Sequence, residues 1–338
     1  MVNAGSRQRS RITVDHGQHI PEIRIGVPEG SQTMNSPGSH RSIQRGVGWM
    51  SWALLWTLVA LWGSAFSLIT IALRELPGIT LVGLRLSMGW LVLLGLFRLK
   101  GKRLPRDPRA WAYFSVIAVL GNCIPYCLIT WGQEVVPSGM TGILMSITPL
   151  VVVGLAHFTL PGEKASILKV AGIIAGFVGI WFLLSSPGQE QVAGQPGLLP
   201  RQLGILLGAV CYGVTIIIAR RQPVQDPMLA SLAVLGISAL VMIVPALWAM
   251  PPGDWVSLSW QTLLSIVVLG VFCTGYATVV YFQLIRTAGA TFLSLMNYLI
   301  PLWAVVVGSI FLGEKLHPGG WLAMLVVLVG VALAGSRR

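Results

Sequence analysis

Apolar runs long enough to cross a bilayer recur along most of this 338-residue chain, and no other feature narrows its fold as much. Runs of about 17 to 22 residues match a hydrocarbon core ~30 Å thick at ~1.5 Å of rise per residue. Inside that core each backbone N–H and C=O must find its partner within the protein, and a helix meets this demand by itself. The runs are apolar all round, not along one stripe, as lipid-facing helices are. Only 10% of residues are charged, too few to cover a soluble protein of this size.

Ten such segments are expected, near 51–72, 79–98, 110–131, 138–160, 167–185, 203–220, 228–250, 261–284, 290–312 and 319–335. The expected fold class is therefore an all-α membrane protein with ten transmembrane helices. Residues 1–48 are polar, rich in Gly, Ser, Arg and Pro, and lack helical periodicity; they read as a disordered cytoplasmic tail. A Gly-, Pro- and Gln-rich stretch at 186–201 reads as a linker between halves at 51–185 and 202–336.

The formal net charge of +12 does not mark a nucleic-acid partner, because the basic residues fall in short loops and not on one face. Their distribution orients the chain instead. Loops assigned to the inner side carry Arg98, Lys100, Lys102, Arg103, Arg106, Arg109, Lys164, Lys169, Arg220, Arg221 and Arg286, and the C-terminus adds Arg337 and Arg338. Outer loops carry Arg74, Arg201 and Lys315. Both termini are expected in the cytoplasm of a multi-pass plasma (inner) membrane protein.

One phrase occurs twice: TPLVVVGLAHFTLPGEK at 148–164 and IPLWAVVVGSIFLGEK at 300–315. Pro149 and Pro301 are 152 residues apart, and Glu163 and Glu314 are 151 apart. Such a period in a hydrophobic chain points to a duplicated bundle. Five helices per half is an odd number, so the second half is expected upside down, in two inverted five-helix repeats.

Polar groups in hydrocarbon should face the bundle interior or a wet cavity. Trp62 and Ser64, Asn122 and Tyr126, Ser146, Tyr212, Tyr276 and Asn297 are the candidate substrate-binding residues. They lie on segments 1, 3 and 4 and their duplicates 6, 8 and 9. Gln133, Thr148, Thr215, Tyr281 and Tyr298 belong to the same polar set. Pro149 and Pro301 are candidate hinges, since an intramembrane proline frees a carbonyl and permits a kink. Glu134 and His157 are candidates for coupling to protons, against the plainer readings of a solvated helix end and a histidine bonded between helices.

Arg85 lies about six residues inside the second segment. Its shallow depth favours snorkelling, or bonding to helix ends, over a gate or an anion contact. Glu163 and Glu314 read as ion-paired boundary residues or as charge compensation at a helix N-terminus. Gly172, Gly176 and Gly179 in segment 5, with Gly330, Ala334 and Gly335 in segment 10, mark close helix packing, within the chain or against a second copy. The four cysteines read as small buried residues; no metal-ligand spacing, nucleophile elbow or phosphate-binding loop is present, so no cofactor, metal or enzymatic activity is expected.

The repeated phrases, the segment count, WGSAF at 62–66 and IPYCLITWGQEVVPSGMTGILMSITPL at 124–150 resemble the EamA-type branch of the drug/metabolite transporter superfamily. The resemblance covers residues 51 to about 335. It departs where Tyr212-Gly213-Val214 replaces Trp-Gly-Ser in the second half. It implies a ten-helix bundle with a central cavity that exports amino acids or other small metabolites by alternating access. The alternatives are a drug/proton antiporter and a non-transporting membrane scaffold or sensor. Small multidrug pumps of that superfamily rely on a glutamate in their first helix, and segment 1 has no acid. The expected partners are a small-molecule substrate, the lipid bilayer and a second copy of the chain.

Overall fold

The computed structural model describes residues 48–99, 104–159, 166–185, 197–221, 223 and 226–335. The tail up to residue 47, the linker at 186–196, and Glu163 with Lys164 lie outside them.

Among the described residues the chain is helical throughout. Eight helical spans are long and apolar enough to cross a membrane: α1 Trp49–Ala72, α2 Gly78–Leu99, α3 Pro108–Gln133, α4 Ser138–Thr159, α5 Ile167–Ser185, α6 Leu198–Ala219, α7 Pro227–Trp248 and α8 Trp260–Gly289. Two shorter apolar helices follow, α9 Met296–Leu312 and α10 Pro318–Ala334. Several starts are written in the sequence. Asp107 accepts from Arg109 N–H at 2.9 Å and Asp226 from Met228 N–H at 3.1 Å, each ahead of a proline at the first helical position.

Two helices depart from regular α geometry at related places. In α3 the segment Val119–Cys123 is π-helical, and in α8 so is Val268–Tyr276. Shifted by the 152-residue repeat, the first falls inside the second. Such bulges are rare and concentrate at functional sites. A further break divides α4 into Ser138–Met145 and Thr148–Thr159. Pro149 therefore sits in the first turn of the second piece, where its missing N–H costs little. The carbonyl of Met145, which a residue other than proline would have bonded, accepts from Thr148 Oγ1 at 2.8 Å.

Pro301 differs. It lies inside α9 and has no N–H to give to the carbonyl of Asn297. Ile300 stands where the first half has Thr148, so no hydroxyl takes the proline's place. The sequence expectation that the two prolines occupy equivalent kinks is corrected accordingly: Pro149 follows a break, and Pro301 is inside a helix.

The small-residue faces of α5 and α10 close on each other. A Cβ built on Gly330 would stand 2.6 Å from Gly176 N and 2.7 Å from Gly172 O, and one on Gly172 would stand 2.5 Å from Gly330 O. Side chains there would collide with backbone, so the glycines set the approach of the two helices. These faces are used within the chain.

Carboxylates tie the halves together at one end of the bundle. Glu314 accepts from Ser138 N–H at 2.8 Å, Ser138 Oγ at 3.0 Å and Gly139 N–H at 2.9 Å, and so caps α4. Gly313, at φ 67°, turns the chain back toward α4. Gly308 leaves room for the carboxylate, since a Cβ there would meet Glu314 Oε2 at 2.5 Å. In the second copy of the phrase, Glu314 thus compensates a helix N-terminus, but one far upstream and not the helix that follows it.

Glu75, between α1 and α2, does the converse. It accepts from Ser259 N–H at 2.8 Å and Ser259 Oγ at 3.0 Å, at the start of α8. The Ser259 N–H, then the hydroxyls of Thr262 and Ser259, hold its carboxyl below the ordinary 4.5. A depressed carboxyl stabilises the fold above its unfolded value, and that contribution is lost as pH falls through the folded one. The thermal-stability gap between wild type and Glu75→Gln should hold from pH 7 to about 5 and shrink below 4.5. A gap independent of pH would contradict this cap.

Candidate functional site

A cavity of about 740 Å³ lies between the two halves, lined from α1, α2, α3, α4, α6, α7, α8 and α9. Of the eight residues expected to bind substrate, six are on its wall: Trp62, Asn122, Tyr126, Ser146, Tyr212 and Asn297. Thr148, Tyr281 and Pro301 join them. Helix packing explains why these side chains converge. Trp62 Nε1 donates to Cys273 O at 3.0 Å, inside the second π segment, and its ring lies 5.7 Å from that of Tyr281. Tyr126 and Tyr212 meet edge to face, 6.5 Å between centroids.

The two π segments deliver matching polar groups. Asn122 and Thr274 are 152 residues apart, and both line the cavity. Asn122 Nδ2 donates to Ser238 Oγ at 3.0 Å, joining α3 to α7. Thr274 Oγ1 donates to Leu269 O at 2.8 Å and accepts from Arg85 Nε at 2.8 Å, joining α8 to α2. Thr274 was legible from the repeat offset alone, once Asn122 had been singled out.

Two expected binding residues face elsewhere. Ser64 is turned to α9, where its hydroxyl accepts from Trp303 Nε1 at 2.9 Å. A Cβ on Gly63 would meet that indole at 2.6 Å, so Gly63 and Ser64 form the seat for Trp303. Gly213 seats Val151 in the same way, at 2.6 Å, and Val151 is 152 residues before Trp303. Tyr276 is 45% exposed and stacks edge-on with Phe272, outside the lining. Hydrogen bonds in the π segment run to the fifth residue, so faces beyond it no longer follow the 3.6-residue period assumed from the sequence.

Gln133, Thr215, Tyr298 and Pro149 are also outside the lining. Gln133 Nε2 donates to Phe66 O at 2.8 Å, and Ser67 Oγ and Ser138 Oγ meet at 3.1 Å. With Glu314 on Ser138, these groups join α1, α3, α4 and the α9–α10 turn at one end of the cavity. At the opposite end the lining reaches Ala219, Arg220 and Pro227.

Neither residue expected to couple protons is on the wall. Glu134, at the end of α3, is paired with Arg201, which also donates to Trp131 O and lies 4.4 Å from that indole ring. His157 is exposed near the end of α4, its ring 4.9 Å from that of Phe158.

Arg85 is a larger correction. It neither snorkels nor reaches a helix end. It is 8% exposed, lines the cavity, and holds its guanidinium carbon 4.3 Å from the centroid of the Tyr126 ring.

Comparison with known proteins agrees with this bundle. The profile of the EamA-like transporter family matches residues 49–185 and again 200–336. The chain belongs to the EamA-like transporter family. Two matches in one chain also account for the repeated phrase. Relatives include the uncharacterized transporter YoaV of Bacillus subtilis, 23% identical over 81% of this chain and 93% of YoaV. The uncharacterized inner membrane transporter YedA of Escherichia coli is 26% identical over 82% of this chain and 88% of YedA. A crystal structure of a further protein superposes with a TM-score of 0.60 at 20% identity, over 85% of this chain and 96% of the other, a likeness that concerns the fold. The EamA-like protein described here is a multi-pass membrane transporter.

Proposed function

We propose that this chain is a secondary or facilitative transporter that exports amino acids or related small metabolites by alternating access. In this reading ten helices cross the plasma (inner) membrane in two inverted five-helix repeats, with both termini in the cytoplasm. The carrying observation is the cavity of about 740 Å³ shared by both halves. That volume lies in the range of small-molecule sites, and its wall mixes aromatic rings with a few hydrogen-bonding groups. Under the loop-charge orientation, the Ser67, Gln133, Ser138 and Glu314 cluster lies at the outer end. The lining at Arg220 and Pro227 then faces the cytoplasm, which suits a state that loads from inside.

Among the described lining residues there is no Asp or Glu. A drug/proton antiporter built on a cavity carboxylate is therefore the less favoured reading. Counterflow in proteoliposomes against a panel of amino acids and metabolites tests the proposal. Tyr126→Ala and Asn297→Ala should each lower transport of the active solute by about tenfold, the effect of one lost contact of ~1.4 kcal/mol, with protein levels kept. Normal transport by both variants would remove the cavity from the transport path.

A further inference from the structure

We infer that Arg85 is the docking point for a carboxylate on the transported solute. This rests on the reading of the cavity as the transport path. An arginine so buried in a membrane bundle normally has a carboxylate or a set of carbonyls around it. Arg85 has neither among the described residues. Thr274 accepts from Nε at 2.8 Å, Tyr126 lies under the guanidinium, and among the described residues neither terminal Nη has an acceptor.

The two contacts explain how the side chain is aimed. The Nε bond fixes the plane of the guanidinium from the α8 side, and the Tyr126 ring supports it from the α3 side. The terminal nitrogens are then left toward the cavity as a fork of N–H donors, the geometry that matches a carboxylate with two parallel bonds. Thr274 is itself held by its bond to Leu269 O, so the fork is set before a solute arrives.

The described lining contains two arginines, Arg85 and Arg220, and no Asp or Glu. Asp226 stands beside the rim, where its Oδ1 accepts from Met228 and Leu229 N–H at the start of α7. A purely cationic solute would meet an uncompensated guanidinium, whereas a carboxylate would supply its missing partner. The repeat sharpens this: Asn122, related to Thr274, is bonded to neutral Ser238. The cavity therefore has one anion-accepting side and one neutral side.

The test uses the full chain and two matched pairs. Leucine is compared with leucinamide, and 2-hydroxyisocaproate with its amide. Binding is read in detergent from tryptophan fluorescence, Trp62 being on the wall, and counterflow is read in proteoliposomes. Each acid should bind about 10- to 100-fold more tightly than its amide, as the loss of a charge-assisted hydrogen bond requires. Arg85→Gln should bind acid and amide alike, and Arg85→Lys should recover part of the difference. Binding of leucine alone would make the solute a zwitterion, and binding of both acids would make the carboxylate sufficient; either supports the assignment. Wild-type protein that binds amides as tightly as acids, or binds no acid at millimolar levels, overturns it without any variant. Counterflow of amides or amines that Arg85→Gln leaves unchanged overturns it too, while the transporter reading stands. Arg85-dependent binding without counterflow keeps the docking point and removes transport.

Discussion

Gly330→Ala should cost about 3 kcal/mol or more and lower both yield and apparent Tm, although it adds a single methyl group. The new Cβ would stand 2.6 Å from Gly176 N and 2.7 Å from Gly172 O. Both neighbours are backbone, which cannot rotate away as a side chain can, so α5 and α10 must separate. Gly95→Ala is the control. It changes the same residue type in α2, where a Cβ would meet nothing within 4 Å. It should be neutral, or stabilising by up to about 1 kcal/mol, because alanine restricts the unfolded chain. Thermal unfolding of purified protein, followed by tryptophan fluorescence, compares the two. Equal behaviour would mean that the glycine seam does not set the helix spacing.

Glu314→Ala should be the next most damaging change, at about 3 kcal/mol. It leaves Ser138 N–H, Ser138 Oγ and Gly139 N–H without the carboxylate that accepts from them at 2.8 to 3.0 Å. Ser138 is fully buried, so water does not replace the lost acceptor easily. Glu314→Gln keeps one acceptor oxygen and should lose roughly half as much. A change in apparent Tm for the alanine variant no larger than that of an exposed-site control would show that α4 is not held by this cap. Because large membrane proteins often unfold irreversibly, all variants should be heated at one scan rate.

The helical bundle was legible because its cause is local. Each apolar run carries its own membrane-spanning signal, and the Asp-Pro starts of α3 and α7 carry their own caps. The cavity wall was legible where a polar or aromatic side chain is not taken up by packing elsewhere, as for Asn122, Tyr126 and Tyr212. It was misread where another helix supplies that use: Ser64 belongs to Trp303, and Glu134 to Arg201. Tyr276 was misplaced because π geometry changes the facing of a helix without an evident mark in its residues. Arg85 was misjudged because its depth along α2 says nothing about α8, whose Thr274 holds it 189 residues away in sequence. Tertiary partners decide such cases, and a single sequence does not name them.

The paired π segments also carry a record of descent. Each amounts to an extra residue worked into a regular helix, and both fall at the same place in their halves. Independent insertions at one site are a less simple history than a single insertion copied when the gene doubled. On that history the bend belongs to the unit that was copied, and Asn122 and Thr274 occupy matching places on it. The two walls differ today in what those groups hold: Thr274 accepts from charged Arg85, whereas Asn122 donates to neutral Ser238.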